Sequence, residues 1–257
     1  MTAKLDPDAS VDEGQPLIQH LIELRSRLLK SVAAIFLIFI SLFYFANKIY
    51  DYVAAPLVEL LPEGNMIATN ITSTFLTPFK LTLFVSVFVA MPYVLWQIWN
   101  FIAPALYQRE KRLAMPLFIS SVILFYAGVA FAYYVIFPLI FLFFTTTAPS
   151  SVTVMPDIAS HLTLVIKLFF AFGLAFEIPV ATVMLIAAGV ISPQKLANKR
   201  PYVIVGCFVI GMLLTPPDII SQALLAIPMW ILFETGIFFG RLVVRNQKAT
   251  ESEEQAS

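Results

Sequence analysis

Charge is the scarcest resource in this sequence. Asp, Glu, Lys and Arg make up 12% of 257 residues, about half the share of a typical water-soluble domain. The 16 basic and 16 acidic side chains cancel, so no net field recruits a polyanion and a nucleic-acid partner is excluded. A single cysteine, Cys207, rules out an intrachain disulfide and a thiolate metal cluster. The two histidines, His20 and His161, fall on opposite sides of the topology derived below and cannot share a metal. There is no phosphate-cradling glycine loop, no HExxH pair and no GxSxG turn. Neither an enzyme nor a cofactor is expected. What fills the chain instead is apolar: 60% of residues, with a mean hydropathy of +0.87. This is the composition of an integral membrane protein.

The amino terminus is not a cleavable leader by composition. Met1–Pro16 carries Asp6, Asp8, Asp12 and Glu13 against Lys4 alone, where a signal peptide opens with positive charge. A spanning helix needs roughly 20 apolar residues. On that measure the chain divides into a polar tail at 1–16, a membrane domain at 17–245 and a polar, acidic tail at 246–257, expected to be disordered. Six helices are predicted in the domain, at about 31–49, 80–99, 114–145, 162–189, 201–214 and 219–239. The fold class is therefore all-α, with a fifth and sixth helix that are short. Thr215-Pro216-Pro217-Asp218 separates them, because two prolines end a helix. At roughly 21 Å the fifth helix falls short of a hydrocarbon core of about 30 Å.

Three segments outside the spans have their own character. Leu17, Leu21, Leu24 and Leu28 recur at helical spacing, which predicts an amphipathic helix over Leu17–Lys30 lying along the interface. Residues 49–79, with Pro56, Pro62 and Pro78, read as a long outer loop. All basic residues except Lys48, Lys80 and Lys167 fall in alternate hydrophilic segments, so both termini are expected on the cytoplasmic side. Lys80 and Lys167 are expected to snorkel or pair.

Glu177 is the costliest residue. A carboxylate in mid-bilayer costs roughly 2.5–3.5 kcal/mol on insertion scales. It marks a partner contact, a water pathway or a proton site, or else a carboxyl group satisfying backbone freed by Pro179. Glu23 and Glu110 each lie in an otherwise basic segment, Glu23-Leu24-Arg25-Ser26-Arg27 and Arg109-Glu110-Lys111-Arg112. Composition favours the plain reading, in which each offsets neighbouring cations. The alternative is a pair of carboxylates gripping a cationic ligand, since carboxylates receive guanidinium groups bidentately, with Phe101 as an aromatic wall. Asp218 fits a helix N-cap, and Gln222 one turn on has the polarity to bond to a partner helix.

Four stretches together resemble the TatC family, the multispanning core of the twin-arginine protein translocase. They are His20-Leu21-Ile22-Glu23-Leu24-Arg25-Ser26-Arg27-Leu28, Phe101-Ile102-Ala103-Pro104-Ala105-Leu106-Tyr107 leading to Glu110, Phe172-Gly173 with Phe176-Glu177-Ile178-Pro179, and Leu214-Thr215-Pro216-Pro217-Asp218. The likeness runs from about Gln15 to Arg245, closest to proteobacterial members. It implies a glove-like concave bundle of six spans in the bacterial inner membrane, non-enzymatic, that receives twin-arginine signal peptides of folded cargo. Glu23 and Glu110 then meet the arginine pair, Arg25, Arg27 and Phe101 shape the site, and His20, Leu24, Pro104, Leu106 and Tyr107 support it. The likeness also implies single-span partners, TatB and TatA, self-association and use of the proton-motive force, with Thr215 and Gln222 as contacts and Glu177 on the concave face. A proton-coupled solute transporter using Glu177 and an assembly scaffold that reads no cargo remain the alternatives.

Overall fold

The computed structural model describes residues 14–60, 67–102, 111–147, 157–215 and 218–256. Among them the secondary structure is helical, apart from one isolated bridge between Ile67 and Asp157. The helices are α1 (Gly14–Leu42), α2 (Ala46–Leu60), α3 (Ile71–Ile102), α4 (Lys111–Phe131), α5 (Phe137–Thr147), α6 (Ile158–Ala175), α7 (Ile178–Ala187), α8 (Pro193–Ala197), α9 (Arg200–Leu214) and α10 (Ile219–Ala256). Among the described residues, five stretches are long and apolar enough to cross a membrane: Leu21–Ala55, Ile71–Ile102, Met115–Thr147, Ile158–Ala187 and Ile219–Arg245. α9 is a shorter apolar helix. At 15 residues it measures about 22 Å.

Several expectations need correction. The amphipathic stretch before the first span is not a separate interfacial helix, because α1 runs unbroken from Gly14 to Leu42. No proline or glycine stands between Leu17 and Leu42 to end it. A 3-10 turn, Phe43–Phe45, then passes the chain directly into α2. Much of the segment read as an outer loop, 49–79, is therefore the body of α2 and the start of α3. Nor is the sixth helix short. α10 has 38 residues, Ile219–Ala256, and its apolar part runs 27 residues, Ile219–Arg245.

Prolines inside spans leave carbonyls without donors, and at Pro92 a neighbouring helix supplies one. Pro92 lacks the N–H that Phe88 O would receive four residues back. The Tyr126 hydroxyl of α4 donates to that carbonyl at 2.9 Å instead. Between α6 and α7 the helix breaks at Phe176–Glu177, with Pro179 in the first turn of α7. Gly189 ends α7 in the left-handed region at φ 66°. Its N–H reaches Ile186 O and that of Val190 reaches Leu185 O, the paired bonds of a Schellman stop.

The core is aromatic and lies between α3, α4 and α6, with Phe125 and Phe172 fully buried and Phe88 and Phe169 beside them. Helices approach closely where a side chain is missing. A Cβ on Gly128 of α4 would stand 2.4 Å from Phe172 O, and one on Gly173 of α6 would stand 2.7 Å from the Phe125 ring. A clasp holds α3 and α6 level at one end. Asp157, the N-cap of α6, accepts from the Thr69 amide and hydroxyl at 3.1 and 2.9 Å. Its other oxygen accepts from the Ser160 amide and hydroxyl at 3.0 Å.

Candidate functional site

At the opposite end of α3 the polar groups of α1 gather. Glu23 and Arg27 are four apart, so helical spacing puts them on one face, with the acid N-terminal to the base. Glu23 Oε1 accepts from Arg27 Nε at 2.9 Å and from Nη2 at 2.5 Å. Arg27 Nη1 also reaches across to Gln97 Oε1 of α3 at 3.4 Å, and Gln97 is buried. One turn later, Ser31 is buried and its hydroxyl donates to Arg27 O at 3.0 Å. The guanidinium is thus pinned between two helices, while the Glu23 side chain retains 39% of its exposure.

Phe101 follows Gln97 by one helical turn on α3 and is half-buried, so spacing places it on the same face, nearer the end. Arg25 and Leu24 are exposed. His20 belongs to α1 by its backbone. Pro104, Leu106, Tyr107 and Glu110 lie outside the described residues. Gln97 had no sequence signal beyond being a polar residue inside an apolar run.

Glu177 sits apart from this cluster, at the α6–α7 break. It is the N-cap residue of α7, yet its side chain makes no capping bond. Instead Ser121 of α4 donates to its Oε2, and Oε1 is buried with no hydrogen-bond partner among the described residues. The reading in which this carboxyl serves backbone freed by Pro179 is therefore wrong; the carboxyl is spent on a neighbouring helix. Asp218 caps α10, accepting from Ser221 N at 2.7 Å. Thr215 is buried and its hydroxyl donates to Gly211 O at 3.0 Å; Gln222 is half-buried. Glu234 and Arg200 form a two-bond ion pair at 2.6 and 2.7 Å, joining α9 to α10 at its far end. Among the described residues no group of three His, Cys, Asp or Glu side chains is placed to hold a metal.

The family model described as Sec-independent protein translocase protein (TatC) matches residues 19–228. The chain belongs to the TatC family. It is 59% identical over 254 residues to the Sec-independent protein translocase protein TatC of Azotobacter chroococcum, covering 98% of both chains. Against the Escherichia coli K12 protein of the same name the identity is 58% over 236 residues, covering 91% of this chain and 92% of that one. A solved structure titled as a crystal structure of the twin arginine translocase receptor TatC superimposes with a TM-score of 0.80 at 39% identity. That match covers 88% of this chain and 99% of the other. This TatC-family chain is a multi-pass membrane component of a protein translocase, not an enzyme. Its all-helical architecture is that of the solved receptor.

Proposed function

We propose that this chain is the receptor of a twin-arginine translocation system and that Glu23 and Glu110 take up the arginine pair of a signal peptide. One observation carries the reading: the Glu23 carboxylate already holds a guanidinium, through both Nε and Nη2 of Arg27, at the exposed end of α1. An incoming arginine exchanges with Arg27 like for like, so Glu23 is charge-compensated both with and without cargo. Lysine, a compact and strongly hydrated point charge, offers no planar fork to match. Arg25 and Arg27 repel stray cations, and Phe101 lies against the arriving peptide. His20, Leu24, Pro104, Leu106 and Tyr107 support the segment.

In the same reading both termini face the cytoplasm of a bacterial inner membrane, and TatB and TatA dock as single-span partners along α9 and α10. Support comes from α9, whose Val205, Phe208, Val209, Met212 and Leu213 are exposed. Gln222 is the polar contact along that edge, with Thr215 and Asp218 shaping the turn behind it. Glu177 faces the concave side of the bundle, copies of the chain associate, and the proton-motive force drives export of folded cargo.

Photocrosslinking in membranes tests the receptor reading. Probes at Phe101 and Tyr107 are expected to capture a twin-arginine signal peptide. Capture is expected to fail in Glu23→Ala and Glu110→Ala at equal expression, and with a Lys-Lys peptide. Crosslinks indifferent to all three changes would overturn it.

A further inference from the structure

We propose that the cleft between α3 and α6 binds the headgroup of an anionic phospholipid through Lys80 and Lys167. The inference stands apart from the arginine-recognition reading and concerns the opposite end of α3. Both lysines lie inside spans long and apolar enough to cross a membrane. Both are exposed on the surface of the bundle, and among the described residues neither has an ion-pair partner. The Asp157 clasp sets the two helices level. Lys80 follows Ile71, and Lys167 follows Ile158, by the same nine residues (80 − 71 and 167 − 158). The two lysines therefore branch from the backbone at one depth, about 14 Å along each helix.

They line a single cleft of about 220 Å³, together with Thr77, Thr163, Phe84 and Leu162. Two like charges in one membrane-facing cleft repel each other and are each costly in hydrocarbon. An anion between them removes both penalties. The apolar floor selects the source of that anion. Phe84 and Leu162 favour a ligand that brings acyl chain with its phosphate, and helix overhang together with the snorkelling lysine stems carries the charges toward headgroup level. At 32 residues α3 measures about 48 Å, against roughly 30 Å of hydrocarbon.

Native mass spectrometry of the full chain, released from nanodiscs holding equal phosphatidylglycerol and phosphatidylcholine, reads the site directly. Phosphatidylglycerol is expected to be retained in preference. Its retention should fall about tenfold or more in K80Q/K167Q, and survive in K80R/K167R and in excess inorganic phosphate. Equal retention of both lipids, or retention unchanged in K80Q/K167Q, would overturn the proposal, and displacement by inorganic phosphate would reassign the cleft to a free anion. If the glutamine variant does not fold, acetylation of the unaltered protein in vesicles decides. Lys80 and Lys167 should be protected in phosphatidylglycerol relative to phosphatidylcholine, beyond any change at Lys48. Protection that appears only when a carboxylate-bearing single-span partner is added would contradict a lipid site.

Discussion

Tyr126 shows how a single hydroxyl sustains a broken span. Pro92 interrupts the second apolar run, but the donor that answers it, Tyr126, stands 38 residues from Phe88 on another helix. No local pattern announces it. Tyr126→Phe leaves Phe88 O without its donor in a lipid environment, and the expected loss is about 0.6–1.7 kcal/mol, read as a lower unfolding midpoint of the purified protein. An unchanged midpoint would mean that another group takes the carbonyl. Glycines make a sharper pair of tests. Gly128→Ala pushes a methyl group into Phe172 O and should cost about 1–3 kcal/mol through separation of α4 from α6. Gly206 of α9 has nothing within 4 Å of its would-be Cβ, so Gly206→Ala should be neutral or stabilising by up to about 1 kcal/mol. The same thermal measurement compares both, and equal effects would contradict the packing described. Glu23 follows the same lesson as Tyr126: its spacing to Arg27 was readable, while the anchoring of Arg27 by Gln97 was not.

At the scale of elements, the apolar runs revealed helices but misjudged their joins. Asp51 falls in the stretch read as an outer loop from residue 49, whereas α2 buries Ala54 and packs on α3 while Asn47, Lys48 and Asp51 stay exposed. Polar punctuation ends a span without ending a helix. The break at Glu177 was legible because Pro179 enforces it, and the destination of the carboxyl on Ser121 was not, being a contact through space. The clasp that levels α3 with α6 depends on ionised Asp157. Hydrogen bonds from the Thr69 amide, then the Ser160 amide and the Thr69 hydroxyl, hold its carboxyl well below the usual range. A depressed folded value means that the stabilisation is complete above the free carboxyl's pKa of about 3.9. It is lost only as pH falls through the lower folded value. Protection of the Thr69 and Ser160 amides against exchange, corrected for intrinsic rates, should therefore stay flat from about pH 5 to pH 8. Asp157→Ala should abolish that protection at every pH. Protection that declines across that window would contradict the clasp.

For the whole molecule, an even number of crossings would put both ends of the chain on one side, and α9, shorter than the five candidate spans, decides the count. In the proposed reading, the distribution of Lys and Arg puts both ends in the cytoplasm. A fluorescent protein fused after Ser257 should fluoresce and an alkaline phosphatase fused there should be inactive; active phosphatase would remove either α9 or another helix from the set of spans. Family membership and the half-exposed Glu23 carboxylate on α1 support the proposed reception of cargo. Equilibrium binding of signal peptides to the protein in nanodiscs tests that claim most directly. The Arg-Arg peptide should bind at least about tenfold more tightly than the Lys-Lys peptide, a difference of about 1.4 kcal/mol or more. Glu23→Gln should erase most of that preference while leaving the fold intact. Equal affinity for the two peptides in the unaltered protein, or a preference that survives Glu23→Gln, would contradict carboxylate recognition of the arginine pair.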